Sequence, residues 1–319
     1  MPLDHMAMMD AQQAQAFLLS QITHIEREVY AIQYPGVRYP ELIPIDTSAA
    51  PWIPSVTYFS TDGAGKANWF AAGAHDMGHA DVNYNKFETA VQMAGIGYRY
   101  DTEELAVAQM MGRNLTADKA RVARQVAEQF IDRVALFGEA AVGFTGLVNN
   151  SSVTAITAPA TGTSSGTTWA SKTPDLILAD VNSSLLGPIY TGTNQIEMAD
   201  TILVPVAQWL AISTRRLADT TETTILDFLL RKNIYTAETG RPLLIRAVRG
   251  LETAGSGSTA RVVAYARSPT VVKMHMPMPF RFINEPWRVG PMIWEVPGIM
   301  RFGGVDIRRT SAFRYMDGV

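Results

Sequence analysis

Between Thr116 and Gly138 the apolar residues Val122, Val126, Phe130, Ile131 and Val134 recur at helical spacing, and Ala123 and Ala127 fill the same face. Lys119, Arg121, Arg124, Glu128, Asp132 and Arg133 mark the wetter side, so the pattern predicts an amphipathic helix. Thr116 suits its N-cap, Asp118 its first turn and Gly138 its C-cap. At helical rise it spans roughly 33 Å, the width of a small domain, and serves as a spine for the rest of the chain.

Upstream, the stripe Phe17, Leu18, Ile22, Ile25 and Val29 predicts a helix. Prolines then recur at Pro35, Pro40, Pro44, Pro51 and Pro54 among Tyr34, Tyr39, Leu42, Ile43, Ile45 and Trp52. Proline fixes φ and opposes helix, so this stretch reads as an extended arm. It is too apolar for a solvated linker, and must lie on a surface of its own chain or of a neighbour's. Val56–Phe59 and Asn83–Arg99 read as the strands of a long hairpin whose Gly- and Ala-rich distal half buries little. A two-stranded ribbon is marginal alone in water, so it too asks for a partner surface. Asp101–Met111 predicts a short helix with acids in its first turn.

Beyond the spine, residues 154–174 are rich in Ser, Thr, Gly and Ala and predict an exposed loop. Thr173-Pro174 opens a helix running to Tyr190. Asp200–Arg216 reads as a buried strand passing through Pro205 into a helix, Thr221–Asn233 as a further helix, and Arg241–Leu251 as a strand. Gly250–Ala260 predicts a hairpin turn pairing that strand with residues 260–267. From Val271 on, the chain is strand-rich. The expected class is α+β.

With 319 residues, 47% of them hydrophobic and 18% charged, the chain can build one large or two modest cores. A net charge of −3 argues against strong non-specific nucleic-acid binding by a single copy. The absence of cysteine excludes disulfides and thiolate metal sites. No 18-residue apolar run predicts a membrane span, and the start of the chain shows no secretion signal, which fits cytoplasmic production.

Motifs add no chemistry. His75-Asp76-Met-Gly-His79 has the spacing of a zinc-binding helix, but Asp76 replaces the needed Glu and Gly73 and Gly78 oppose a helix. Gly162-Thr-Ser164-Ser-Gly166 matches a nucleophile-elbow pattern, which a Ser/Thr/Gly loop produces by composition alone. Gly63-Ala-Gly-Lys66 lacks the remaining residues of a phosphate loop. Lys273–Phe280 is Met-rich with one histidine and reads as adaptable apolar packing in a strand. No catalytic, cofactor-binding or metal residue is expected.

The order of parts carries more than any motif. An apolar arm, a Gly-rich hairpin, an acidic helix, the spine with Gly143–Asn149 after it, Asp200–Ser213, and the closing Gly303–Ala312 together resemble a tailed-bacteriophage major capsid protein of the Hong Kong 97-type fold. The resemblance spans essentially the whole chain. It implies an N-arm at 1–52, an extended E-loop at 53–97, a peripheral domain at 98–143 and 266–319 carrying the spine at 116–138, and an axial domain at 144–265. It further implies pentamers and hexamers of an icosahedral head in the virion, assembled in the bacterial host's cytoplasm and enclosing double-stranded DNA without sequence preference. No long charged prodomain precedes the arm, so a separate scaffolding protein is expected, with a portal and cement proteins as further partners and no membrane. Some relatives cross-link an E-loop lysine to a neighbour, and Lys66 and Lys86 lie in the corresponding region. Two alternatives remain: an encapsulin-like nanocompartment sharing the fold, and a monomeric hydrolase using Ser164 or the His75/His79 pair.

Overall fold

Tyr39–Leu42 forms a single helical turn (α1) within the stretch expected to be fully extended. The computed structural model describes residues 36–67, 69, 79–110, 114–218, 221–283 and 286–319; the helix expected over Phe17–Val29 lies outside them. Pro40 stands at the start of the turn, where its missing N–H and fixed φ cost nothing. The Asp132 carboxylate accepts the amides of Arg38 at 2.8 Å and Tyr39 at 2.7 Å, and the Tyr39 hydroxyl donates to Glu128 at 3.0 Å. Burial, then the Glu128 carboxylate, holds the Tyr39 phenol well above its ordinary pKa. Tyr39, Leu42 and Ile43 are buried in the chain's own core. This part of the arm therefore packs on its own subunit, the first of the two surfaces that the sequence allowed it. Strand β1 (Ile45–Asp46) follows, while Trp52 stays exposed under the Arg301 guanidinium.

Strands β2 (Ser55–Gly65) and β3 (Ala80–Gly95) form the expected hairpin, longer in its first strand than the apolar run Val56–Phe59 marks, because backbone pairing continues into its Gly/Ala half. The second strand, expected to run on to Arg99, breaks at Ile96-Gly97 and resumes as β4 (Tyr98–Asp101). Helix α2 (Thr102–Met110) comes next. The spine, α3, runs Leu115–Phe137 and is capped by Asn114, not Thr116: the Asn114 side chain accepts the Ala117 amide at 3.1 Å. It ends as expected at Gly138, whose φ of 71° suits glycine. The buried face also differs. Ala123, Ala127, Ile131, Val134 and Ala135 face the core, whereas Val122 and Val126 stay 54% and 42% exposed. Small residues allow the close approach of the body, and the valines are left outside.

Strand β5 (Ala155–Thr157) and a buried Trp169 and Lys172 anchor a segment expected to be a plain exposed loop. Lys172 donates to Asp180 at 2.6 Å and the Trp169 indole N–H donates to the same carboxylate at 3.2 Å. Burial raises the Asp180 carboxyl above its ordinary range against the pull of Lys172. Thr173 caps α4 (Pro174–Ala179), accepting the Leu176 amide, and the helix continues through a π-helical segment, Asp180–Leu186, into α5 (Gly187–Gly192). Strand β6 (Thr201–Val204) passes through Pro205 into α6 (Val206–Thr214), as the sequence predicts. Helices α7 (Ile225–Arg231) and α8 (Ile234–Thr239) lead to β7 (Leu244–Ala247), and β8 spans Arg261–Tyr265. Strands β7 and β8 are not hairpin partners: β6 lies between them, parallel to β7 and antiparallel to β8. A helical crossover can join parallel strands, and it outcompetes the local turn.

The remaining strands are β9 (Val272–His275), β10 (Met278–Phe282), β11 (Trp287–Arg288), β12 (Ile293–Val296), β13 (Gly298–Gly303), β14 (Val305–Ile307) and β15 (Phe313–Asp317). The Met-rich stretch is thus two strands, with Met274, Met276 and Met278 buried. Strand β13 pairs with β3 at the hairpin's base, and β15 inserts between β5 and β8 to give a five-stranded sheet ordered β5-β15-β8-β6-β7.

That sheet separates two cores. Val263, Tyr265, Leu203, Phe313 and Tyr315 join the core around the spine and α1. Their neighbours Val262, Ala264, Ile202, Val204 and Met316 join the core under α4 to α8. The period-two alternation of a strand thus serves two hydrophobic faces at once. Arg261 fastens the strand ends: its guanidinium donates to Asp317 at 2.6 and 2.8 Å and to the Val148 carbonyl at 2.8 Å, and lies over the Tyr315 ring.

Candidate assembly surfaces

Eleven residue pairs join β2 to β3, from Ser55↔Ala90 to Gly65↔Ala80. Directly opposed residues share a face, so the ribbon has two distinct sides. On one side Tyr58 stacks on Phe87 at 5.2 Å, its hydroxyl donates to Asp306 at 3.4 Å, and the Arg308 guanidinium lies 4.2 Å from its ring centre. This side faces the body across a cleft of about 660 Å³. On the other side Phe59, Tyr84 and Val82 form an apolar stripe at every second pair, and Phe59 and Tyr84 are 67% and 70% exposed. Solvated aromatic residues clustered on a ribbon mark an interaction surface.

A second surface lies on the spine. Its exposed Val122 and Val126, with Ala123, Ile96, Gly97 and Tyr98, line an apolar groove of about 320 Å³ edged by Asp118 and Lys119. A third is the β11–β12 hairpin, which presents Trp287 at 72% exposure with Val289, Met292 and Ile293. It pairs through β12 with β4, and the Thr102 amide at the start of α2 donates to the Met292 carbonyl, so the exposed Val107 and Met110 lie on the element beside it. Sequence reading missed this hairpin. Its signal was Gly290-Pro291 between two short apolar runs, a turn dipeptide in a region taken simply as strand-rich.

Around Asp306 charged groups from three strands and their ends crowd together. Burial would raise the Asp306 carboxyl, but the neighbouring His275 ring and the Arg308 guanidinium, whose Nε donates at 3.0 Å, outweigh it and hold the pKa below the ordinary value. His275 is itself buried, its Nε2 3.9 Å from Asp306 and its Nδ1 3.6 Å from Asp46. Asp46 is held below the ordinary carboxylate range by the Ser48 hydroxyl and amide and by Lys273 at 3.0 Å.

Among the described residues, those weighed for chemistry are not brought together. Ser164 sits in an exposed turn at φ 56°, preceded by loop and not by a strand, so the elbow geometry is missing. His75 and Asp76 lie outside the described residues, and His79 is exposed at the start of the returning strand. Gly63 is paired within the hairpin, Lys66 is exposed at its end, and Lys86 lies 3.8 Å from Glu88. Among the described residues no cluster of three metal-ligating side chains occurs, and no helix is long and apolar enough to cross a membrane.

Solved structures that share this architecture include phage capsids. The capsid of Myoviridae phage XM1 superposes with a TM-score of 0.74 at 16% identity, covering 94% of this chain and 97% of that one. The protein of Mycobacterium phage Ogopogo gives 0.59 at 12% identity over 95% and 98%, and the capsid of an empty GTA particle gives 0.59 at 10% identity over 95% and 97%. A search of curated sequences gives no match. The family match runs over residues 65–319 and is to the major capsid protein. It does not favour the nanocompartment alternative. Ribbon, spine, sheet-divided cores and family match agree: the chain belongs to the major capsid protein family and carries the Hong Kong 97-type fold of tailed-phage capsids.

Proposed function

We propose that copies of this chain assemble into pentamers and hexamers of an icosahedral head that encloses double-stranded DNA, gripping one another through the hairpin. The observation that carries this reading is the Phe59–Tyr84–Val82 stripe, an apolar face that the subunit leaves in water. In this reading residues 1–52 are the N-arm, 53–97 the E-loop, 98–143 and 266–319 the peripheral domain, and 144–265 the axial domain. Strand β15 is then lent by the closing segment to the axial sheet, since it pairs with β8. The Val122/Val126 groove and the Trp287 hairpin supply further contacts between copies.

Repetition makes modest contacts sufficient, because losing one does not release a subunit held by several. The near-neutral charge suits a container whose DNA keeps its own counterions. A separate scaffolding protein and a portal complete the partner set; the site of action is the virion, after assembly in the host cytoplasm, and the chain carries no catalytic activity. Electron microscopy of the purified chain, alone and with its co-expressed scaffold, tests the reading: closed particles or capsomers are expected, and a chain that stays monomeric at high concentration in both conditions overturns it. Nucleic acid inside purified particles supports a head, whereas protein cargo alone would favour a nanocompartment.

A further inference from the structure

Beyond Val91, the outermost residue of β3 that pairs with β13, the hairpin is a bare two-stranded ribbon. Beneath it lies the cleft edged by Thr89, Val142, Phe144, Asn150, Ser152 and Gly304. Backbone pairing fixes the ribbon at its base but leaves its lean over the cleft to side chains. Tyr58, three pairs beyond Ser55, reaches across to the body through its bond to Asp306 and the Arg308 cation over its ring. Asp306 is oriented in turn by Arg308 from one side and faced by His275 from the other. The opposite edge of that buried imidazole faces Asp46, which Lys273 and Ser48 hold at the end of β1. His275 Nε2 has no hydrogen-bond partner among the described residues, and the ring lies packed between the two carboxylates.

We propose that Tyr58, Asp306 and Arg308 form a latch that sets the angle at which the hairpin leaves the subunit, and that His275 couples this latch to β1. The latch is a positioning device: it presents the Phe59–Tyr84 stripe in one direction instead of over a fan of directions. The consequence for shell building rests on the reading of the hairpin as an intersubunit grip, but the latch itself is a property of the single chain.

The cysteine-free sequence allows a direct test. Spin labels on Thr61→Cys and Ala141→Cys of the full-length chain report the distance between ribbon and body by pulsed electron resonance. The wild-type background gives one narrow distribution; Tyr58→Phe and Arg308→Gln each broaden it and shift its centre. Coupling is read by hydrogen exchange at the Met276 amide, which donates to the Asp46 carbonyl at 2.8 Å and is expected to exchange faster in Arg308→Gln and in His275→Gln. Unchanged distance distributions in both Tyr58→Phe and Arg308→Gln, with wild-type melting, overturn the latch. A shifted distribution with unchanged Met276 exchange in Arg308→Gln overturns the coupling through His275. Should His275→Gln fail to fold, Arg308→Gln carries the coupling test alone. Broadened distributions in a variant that still builds normal shells would refute the hairpin's role in assembly and leave the latch standing.

Discussion

Replacing Phe59 with serine separates the stability of the subunit from the stability of the shell. Fully burying a phenylalanine side chain contributes about 1.5–3 kcal/mol. With 67% of Phe59 still in water in the single chain, about 1–2 kcal/mol of that remains to be gained when a neighbour covers it. Losing it weakens each hairpin contact by about 5- to 30-fold, at 1.4 kcal/mol per factor of ten. The folded chain itself should hardly notice, because a solvent-facing substitution away from any cap or core changes stability by about 0.5 kcal/mol or less. The assay is paired. Thermal melting of the unassembled subunit should be unchanged, while sedimentation of a concentration series should raise the threshold for particle formation by the factor above. Tyr84→Ser, on the same face, should behave alike, and Ser60→Ala, on the opposite face, should do nothing. A Phe59→Ser chain that assembles at the wild-type threshold would refute the reasoning, whatever the shell looks like.

Arg261→Met removes the guanidinium from the buried Asp317 and leaves it the Ser256 amide at 3.0 Å, so chemical denaturation should show a loss of about 3–5 kcal/mol, the cost of stranding one member of a buried pair. Gly95→Ala places a Cβ 2.7 Å from the Gly298 carbonyl, a backbone atom in a paired strand that cannot swing aside; a loss of about 1–3 kcal/mol is expected in the same assay. Asp46 titrates below its unfolded value, so its contribution is present above about pH 4 and fades as pH falls through the depressed folded pKa. The melting difference between wild type and Asp46→Asn should therefore be largest near neutrality and shrink on acidification below about pH 4; a difference that grows there would reverse the assignment.

Local signals read well where one residue type has one physical use. Thr173 before Pro174 does cap a helix, Pro205 does join a strand to a helix, and Gly138 does end the spine in the left-handed region. What failed to read was pairing across distance. Asp132 looked like the wet side of the spine, yet it caps α1 through residues more than ninety positions away, and that anchorage turns an apparent free arm into part of the core. The valine-for-alanine reversal on the spine has the same origin: periodicity marks two faces, but whether the bulky or the small one turns inward depends on how closely the sheet approaches. For the assembly surfaces, alternation within the hairpin was legible, because Phe59, Tyr84 and Val82 fall on one face once the register is known. The register itself was not, since the Gly/Ala half offers few side chains to fix it. The Tyr58–Asp306–His275 cluster drew no notice because its members come from three separated strands and match no motif.

Val262 and Val263 are adjacent in sequence yet answer to different cores. Neither core can loosen without tilting the strand that lines the other, so a melting curve of the subunit should show one transition although there are two packed interiors. In a wall made of such subunits, strain arriving at the spine passes through hydrogen-bonded strands to the helices beyond, so the two interiors on either side of the sheet share any load between them.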